Sequence, residues 1–184
     1  MNACCSTSTL ASSPKQSERR GENIVVTHIP TLIRRLADAG VEFVIVGGVA
    51  ATFHGSTLVT YDLDICIRFD LETMRRVVNA LAELEPVERM NPSHPPMKAD
   101  ATAYVGYRNL YLKTNGGILD LLGEITGVGD FAAVREGAVE IDLQGARALV
   151  ISAPKLIVAK KAVGRTKDLR VVTELELLEA ERKA

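Results

Sequence analysis

Val46-Gly47-Gly48-Val49-Ala50-Ala51-Thr52-Phe53-His54-Gly55-Ser56-Thr57-Leu58-Val59-Thr60-Tyr61-Asp62-Leu63-Asp64-Ile65-Cys66-Ile67 is the stretch on which the reading of this chain turns. It continues the short apolar run Phe43-Val44-Ile45-Val46, which has the character of a buried strand. Gly47-Gly48 ends that strand, and Val49 to His54 is long enough for one short helix. A second strand is expected from Asp62 to Phe69. Carboxylates are poor strand residues, yet Asp62 and Asp64 interrupt an otherwise apolar run. Strand side chains alternate, so Asp62, Asp64 and Cys66 share one side while Leu63, Ile65 and Ile67 face the core. Two carboxylates on one strand face stand ~6–7 Å apart and repel unless a cation lies between them. Magnesium suits this best, or manganese in its place, because it takes a few carboxylates and leaves room for phosphate oxygens. Lacking Cβ atoms, Gly47 and Gly48 let the backbone approach a phosphate closely, and the helix start beyond them offers free N–H groups.

A third acid follows downstream. In Ile118-Leu119-Asp120-Leu121-Leu122-Gly123-Glu124-Ile125, Asp120 again interrupts an apolar strand. If that strand lies beside the Asp62 strand, three carboxylates converge, as two-metal phosphoryl transfer requires. Asp120 can equally serve as base for an attacking hydroxyl. Glu124 shares its face but lies four residues along, too far out to join them.

Working outward, Ile29, Leu32, Ile33, Leu36 and Ala37 recur at helical spacing, with Pro30 in the first turn and Gly40 at the exit. Asp70 reads as the N-cap of a helix carrying Leu71, Met74, Val77, Val78 and Leu81 inward. Residues 86–100, with four prolines, read as a loop. Strands are expected at Ala101–Tyr107, Asn109–Thr114 and Ile118–Ile125, and a hairpin at Val139–Leu143 and Ala146–Ile151. Ser152 then caps a helix beginning at Ala153-Pro154, which Gly164 breaks, and a last helix runs from about Thr166 to the end. The sum is an α+β domain, a mixed sheet with flanking helices and C-terminal helices.

Residues 1–23 are Ser-rich, then charged and aperiodic, and read as a disordered tail; 24–184 read as a single domain. A net charge of −1 argues against a broad nucleic-acid surface, and the absence of Trp leaves few stacking platforms. Cys4, Cys5 and Cys66 form no CxxC pair, which excludes a zinc ribbon and fits a reducing cytoplasm. No membrane helix or signal peptide is expected.

Gly-Gly, thirteen residues (49 to 61), then Asp-x-Asp resembles the signature of the nucleotidyltransferase superfamily, whose fold is that of DNA polymerase beta. The wording Val-Gly-Gly-Val-Ala-Ala, His-Gly-Ser-Thr and Thr-Tyr-Asp-Leu-Asp-Ile resembles its small prokaryotic branch of AbiEii-like and minimal nucleotidyltransferases. Lys160, Arg165 and Lys167-Asp168 look like the Lys…Arg-x-Lys-Asp element common there. The resemblance covers roughly residues 28–178. It implies transfer of a nucleoside monophosphate from an NTP to a macromolecular hydroxyl, on tRNA or protein, with Mg2+ or Mn2+ as cofactor. It also implies Gly47 and Gly48 at the phosphates, Asp62 and Asp64 on metal, and Asp120 as third acid. A toxin–antitoxin setting with a cognate partner follows from the same likeness, and a homodimer is compatible with it. Relatives often carry a basic residue near Leu58 and a second acid where Val171 stands.

Plainer readings stand beside these. Lys160, Arg165 and Lys167 either neutralise a triphosphate or decorate a charged helix surface. His54 reads as a packed helix-end histidine, Thr60 as a loop-closing residue and Cys66 as a small buried filler. An acceptor channel would be assembled from Arg34, Arg35, Arg75, Arg76, Arg108 and the C-terminal lysines. Two other functions use the same residues: a catalytically inactive binding module or antitoxin-like partner, and a metal-dependent phosphohydrolase. The lack of a His-Asp metal motif argues against the last, since His28, His54 and His94 lie in unrelated contexts.

Overall fold

The computed structural model describes residue 1, residues 28–143 and residues 145–182. The tail expected at 1–23 thus falls, but for Met1, outside the described residues. Helix α1 spans Ile29–Asp38, with Pro30 in its first turn. It buries Leu32, Ile33 and Leu36 completely, each worth about 1.5–3 kcal/mol when removed from water. Strand β1 (Val44–Ile45) leads into α2 (Gly47–Phe53), so both glycines belong to the helix's first turn and do not precede it. Strand β2 is Asp62–Cys66, shorter than expected, and α3 (Leu71–Leu81) starts where Asp70 accepts the Thr73 N–H at 2.7 Å.

The segment 86–100 is not all loop. Val87–Glu88 forms β3, pairing antiparallel with β4 (Asn109–Thr114). The strand expected at Ala101–Tyr107 is replaced by a 3-10 turn, Ala101–Tyr104. Asp100 caps that turn through the Thr102 N–H at 2.9 Å. Tyr104 is wholly buried, with its hydroxyl accepting the Lys98 N–H at 2.6 Å. An Asp before Ala-Thr-Ala-Tyr favours this local bond over a ladder, and the apolar residues hid it.

Strand β5 (Gly117–Leu122) follows, and Gly123 breaks the expected longer strand before β6 (Glu124–Ile125). β7 (Gly129–Asp130) pairs with β6, and a short helix α4 (Phe131–Arg135) follows; neither was anticipated. The hairpin appears as β8 (Val139–Leu143) and β9 (Ala146–Val150). Helices α5 (Ala153–Val163) and α6 (Thr166–Glu181) close the chain, parted at Gly164 in the left-handed region (φ 68°).

The main sheet has seven strands in the order β3-β4-β5-β2-β1-β9-β8. β2–β5 and β1–β9 run parallel, and every other neighbouring pair is antiparallel. The fold is therefore the expected α+β arrangement of a mixed sheet with flanking helices. α1 packs on α3 and β9, whereas α2 packs on β2 and α5, and α5 on α6. The central strands β1, β2 and β5 contribute Ile45, Leu63, Ile65 and Leu119 to the core, each wholly buried. Among the described residues, no helix is long and apolar enough to cross a membrane.

Candidate functional site

Sheet register brings the acids together. β2 and β5 run parallel with Asp64 opposite Asp120 and Asp62 opposite Ile118. Partners in register project to the same side of a pleated sheet, and residues two apart on one strand share a face. Asp62, Asp64 and Asp120 consequently each offer a carboxylate oxygen, all within 4.8 Å of one another. The row extends further: Tyr111 of β4 lies opposite Asp120, and the Arg89 N–H, just past β3, donates to Tyr111 O at 2.9 Å. Arg89 reaches over the Tyr111 ring and grips Asp120, with Nη2 2.7 Å from Oδ1 and 2.6 Å from Oδ2.

Crowded carboxylates change their acidity. Burial first, then Asp62 and Asp120, push Asp64 up from 3.8 to about 6. A hydrogen bond from the Gly48 backbone and the charge of Lys160 pull it the other way, without prevailing. Asp120 is also raised, chiefly by burial, and the Arg89 guanidinium only partly offsets this. Cys66 differs: burial, with Asp130 nearby, pushes its thiol up to about 12, so it remains a neutral filler. It is neither ligand nor nucleophile at neutral pH.

The glycine pair has a steric reason of its own. A Cβ on Gly47 would lie 2.0 Å from Asp64 Oδ2, and Gly47 has φ 63°. A Cβ on Gly48 would lie 2.4 Å from Thr60 Oγ1. Only glycine lets the turn after β1 press against the first half of β2. Thr60 in turn donates its hydroxyl to Asp62 Oδ1 at 2.6 Å, so it orients a carboxylate as well as closing the loop.

These residues line a cleft of about 520 Å³, within the size range of small-molecule sites. Gly47, Gly48, Asp62, Asp64, Asp120, Lys160, Arg165 and Lys167 all stand in its wall. Lys160, on α5, is nearly buried and paired with Asp168 of α6 at 3.0 Å, while Arg165 lies 3.8 Å from the same acid and is mostly exposed. Leu58, Leu122, Ile125, Ile151, Leu156 and Val171 supply an apolar side. Neither a protein-family model nor a curated protein matches this chain.

The donor set can be judged on its own chemistry. Three carboxylates and no nitrogen or sulfur donor form a hard, oxygen-only group that fits Mg2+ or Mn2+ and not a softer ion. Asp64 is held above the usual carboxylate range first by burial and then by the neighbouring charges of Asp62 and Asp120, and a dication among the three would offset that repulsion.

Sequence reading anticipated every acid in the row and missed Arg89, which lies in the proline-rich segment taken for loop. No local pattern marks it; only the pairing of β3 with β4 aligns it. The imagined acceptor channel is not gathered here, because Arg34, Arg35, Arg75, Arg76 and Arg108 are absent from the cleft wall. Arg35 pairs with Glu83, Arg76 with Glu72, and Arg108 lines a separate depression beside Arg68 and Phe131. His54 is packed, its Nε2 2.7 Å from Ile151 O. Leu58 and Val171 are part of the cleft's apolar side.

Proposed function

We propose that this chain is a metal-dependent nucleotidyltransferase that moves a nucleoside monophosphate from an NTP to a macromolecular hydroxyl, on tRNA or protein. The observation that carries the reading is the convergence of Asp62, Asp64 and Asp120 within 4.8 Å, at the floor of a cleft with basic groups on its wall. Asp62 and Asp64 would hold the metal, with Asp120 completing the set. A bound Mg2+ or Mn2+ would supply charge neutralisation at the phosphates and acidify the attacking hydroxyl.

The chain's own groups have separate tasks. Gly47 lets the backbone pass against Asp64 and Gly48 lets it pass against Thr60, so phosphates can approach this turn without side chains in the way. Thr60 fixes the rotamer of Asp62. Lys160, Arg165 and Lys167 offset polyphosphate charge from the α5–α6 side of the cleft. Asp120 would alternatively take the hydroxyl proton as the new ester forms and pyrophosphate departs. The apolar side made by Leu58, Ile151 and Leu156 suits the flat face of a base. A cognate toxin or antitoxin partner accords with the likeness to the small prokaryotic branch.

The test is incubation with α-labelled NTPs, Mg2+ or Mn2+, and tRNA or protein acceptors. Label should pass to an acceptor, and Asp62→Ala combined with Asp64→Ala should reduce transfer by at least ~10³-fold. Transfer that survives the double substitution would refute the assignment. Tight binding of a partner protein with no nucleotide binding would favour an inactive binding module.

A further inference from the structure

The acidic row already holds a cation of its own. Arg89 Nη2 straddles both oxygens of Asp120, and Nε lies 3.3 Å from Oδ1. The two partners are unequally fixed. Asp120 sits on an interior strand with its side chain only 8% exposed, whereas the Arg89 side chain is 30% exposed and rooted beside a two-residue edge strand. A carboxylate on a short stem cannot leave the row, but a guanidinium on a long flexible stem can.

We propose that Arg89 competes with the divalent cation for Asp120 while the cleft is free of nucleotide, and moves to the polyphosphate when metal and nucleotide bind. The inference rests on the nucleotidyltransferase reading above. A dication approaching Asp120 would meet a positive charge in contact with both carboxylate oxygens, so the ion pair would have to loosen first. The released guanidinium stays inside the same cleft wall, and its fork of N–H donors fits phosphate oxygens as well as it fits a carboxylate. Tyr111, whose ring centroid lies 5.4 Å from the guanidinium carbon, supports the side chain along this path. Arg89 thereby protects the buried acid when no metal is present and becomes a phosphate contact when the substrate arrives.

Electron paramagnetic resonance of free Mn2+ measures metal binding directly, without turnover. Arg89→Gln should tighten Mn2+ binding roughly 3- to 10-fold in the absence of nucleotide. At saturating Mn2+ the same substitution should weaken binding of a non-hydrolysable NTP analogue by a similar factor. In an Asp120→Asn background, Arg89→Gln should leave Mn2+ binding unaltered. A residue that merely braced Asp120 would move both affinities the same way. If Arg89→Gln does not fold, Arg89→Lys should show the same two signs at smaller size, because a point charge cannot straddle both oxygens. Wild-type Mn2+ binding that is unchanged or weakened by Arg89→Gln overturns this inference alone, and so does unchanged nucleotide affinity. Absence of Mn2+ binding in both proteins removes the nucleotidyltransferase reading along with it.

Discussion

Asp64 sits at the balance of two demands, since the proposed metal role needs its carboxylate ionised while it is buried beside two others. The unfolded chain releases this proton near 3.8 and the folded chain near 6, so between those values the folded state carries the extra proton. The stability that comes from this is full below about 3.8 and is lost as pH rises through about 6. Asp64→Asn should consequently raise metal-free stability at pH 7.5 by about 1–3 kcal/mol, measured by urea denaturation, while abolishing Mn2+ binding. Protons and metal compete for the same oxygen, so Mn2+ affinity in the wild type should fall as pH drops below about 6 and level off above it. Carboxyl NMR of the metal-free protein would place the Asp64 midpoint, and Asp62→Asn should lower it. Gly47→Ala attacks the same residue by sterics. It meets both a left-handed backbone and Asp64 Oδ2, so a loss above about 1 kcal/mol and weaker Mn2+ binding are expected.

At the level of elements, the site depends on how α5 and α6 are tied to the sheet and to each other. Lys160 and Asp168 form a nearly buried pair between the two helices. Asp168→Ala should cost about 3–5 kcal/mol, because it leaves an unpaired cation in that space. Lys160→Met with Asp168→Leu should recover most of the stability yet bind nucleotide poorly, which separates helix docking from phosphate contact. A second tie runs from α6 to the loop before β2. Glu174 accepts the Ser56 hydroxyl at 2.6 Å, the Thr57 hydroxyl at 2.8 Å and the Thr57 N–H at 3.1 Å. Those bonds hold Glu174 below the usual carboxylate range. Glu174→Gln should speed amide hydrogen exchange at residues 56–60 and raise KM for the NTP more than it lowers kcat. The loop carries Leu58 and Thr60 to the cleft, and its looseness would be felt in binding first.

Over the whole molecule, metal binding and folding should be linked. An ion that binds only the folded row stabilises it by about 2.7 kcal/mol at a hundredfold excess over Kd, which a thermal melt detects easily. Asp62→Ala with Asp64→Ala should erase that shift while leaving the fold intact. Sheet order makes this row the centre of the domain, since β2 and β5 are interior strands and every acid in it stands on one of them.

The sequence by itself determined the two central strands, the helical faces of α1 and α3, and the three aspartates that break apolar runs, though it set the start of α2 after the glycine pair that in fact opens it. Each is a local signal, because periodicity, caps and a charge inside a strand are written within a few residues. Tertiary structure alone decided which strand adjoins which, and so that Asp64 faces Asp120 across a parallel pair. It also decided that Val87–Glu88 would join the sheet edge and bring Arg89 to Asp120. The physical reason is range. Local hydrogen bonds and side-chain alternation act between near neighbours, whereas register couples segments such as 89 and 120 that meet only once the sheet has formed.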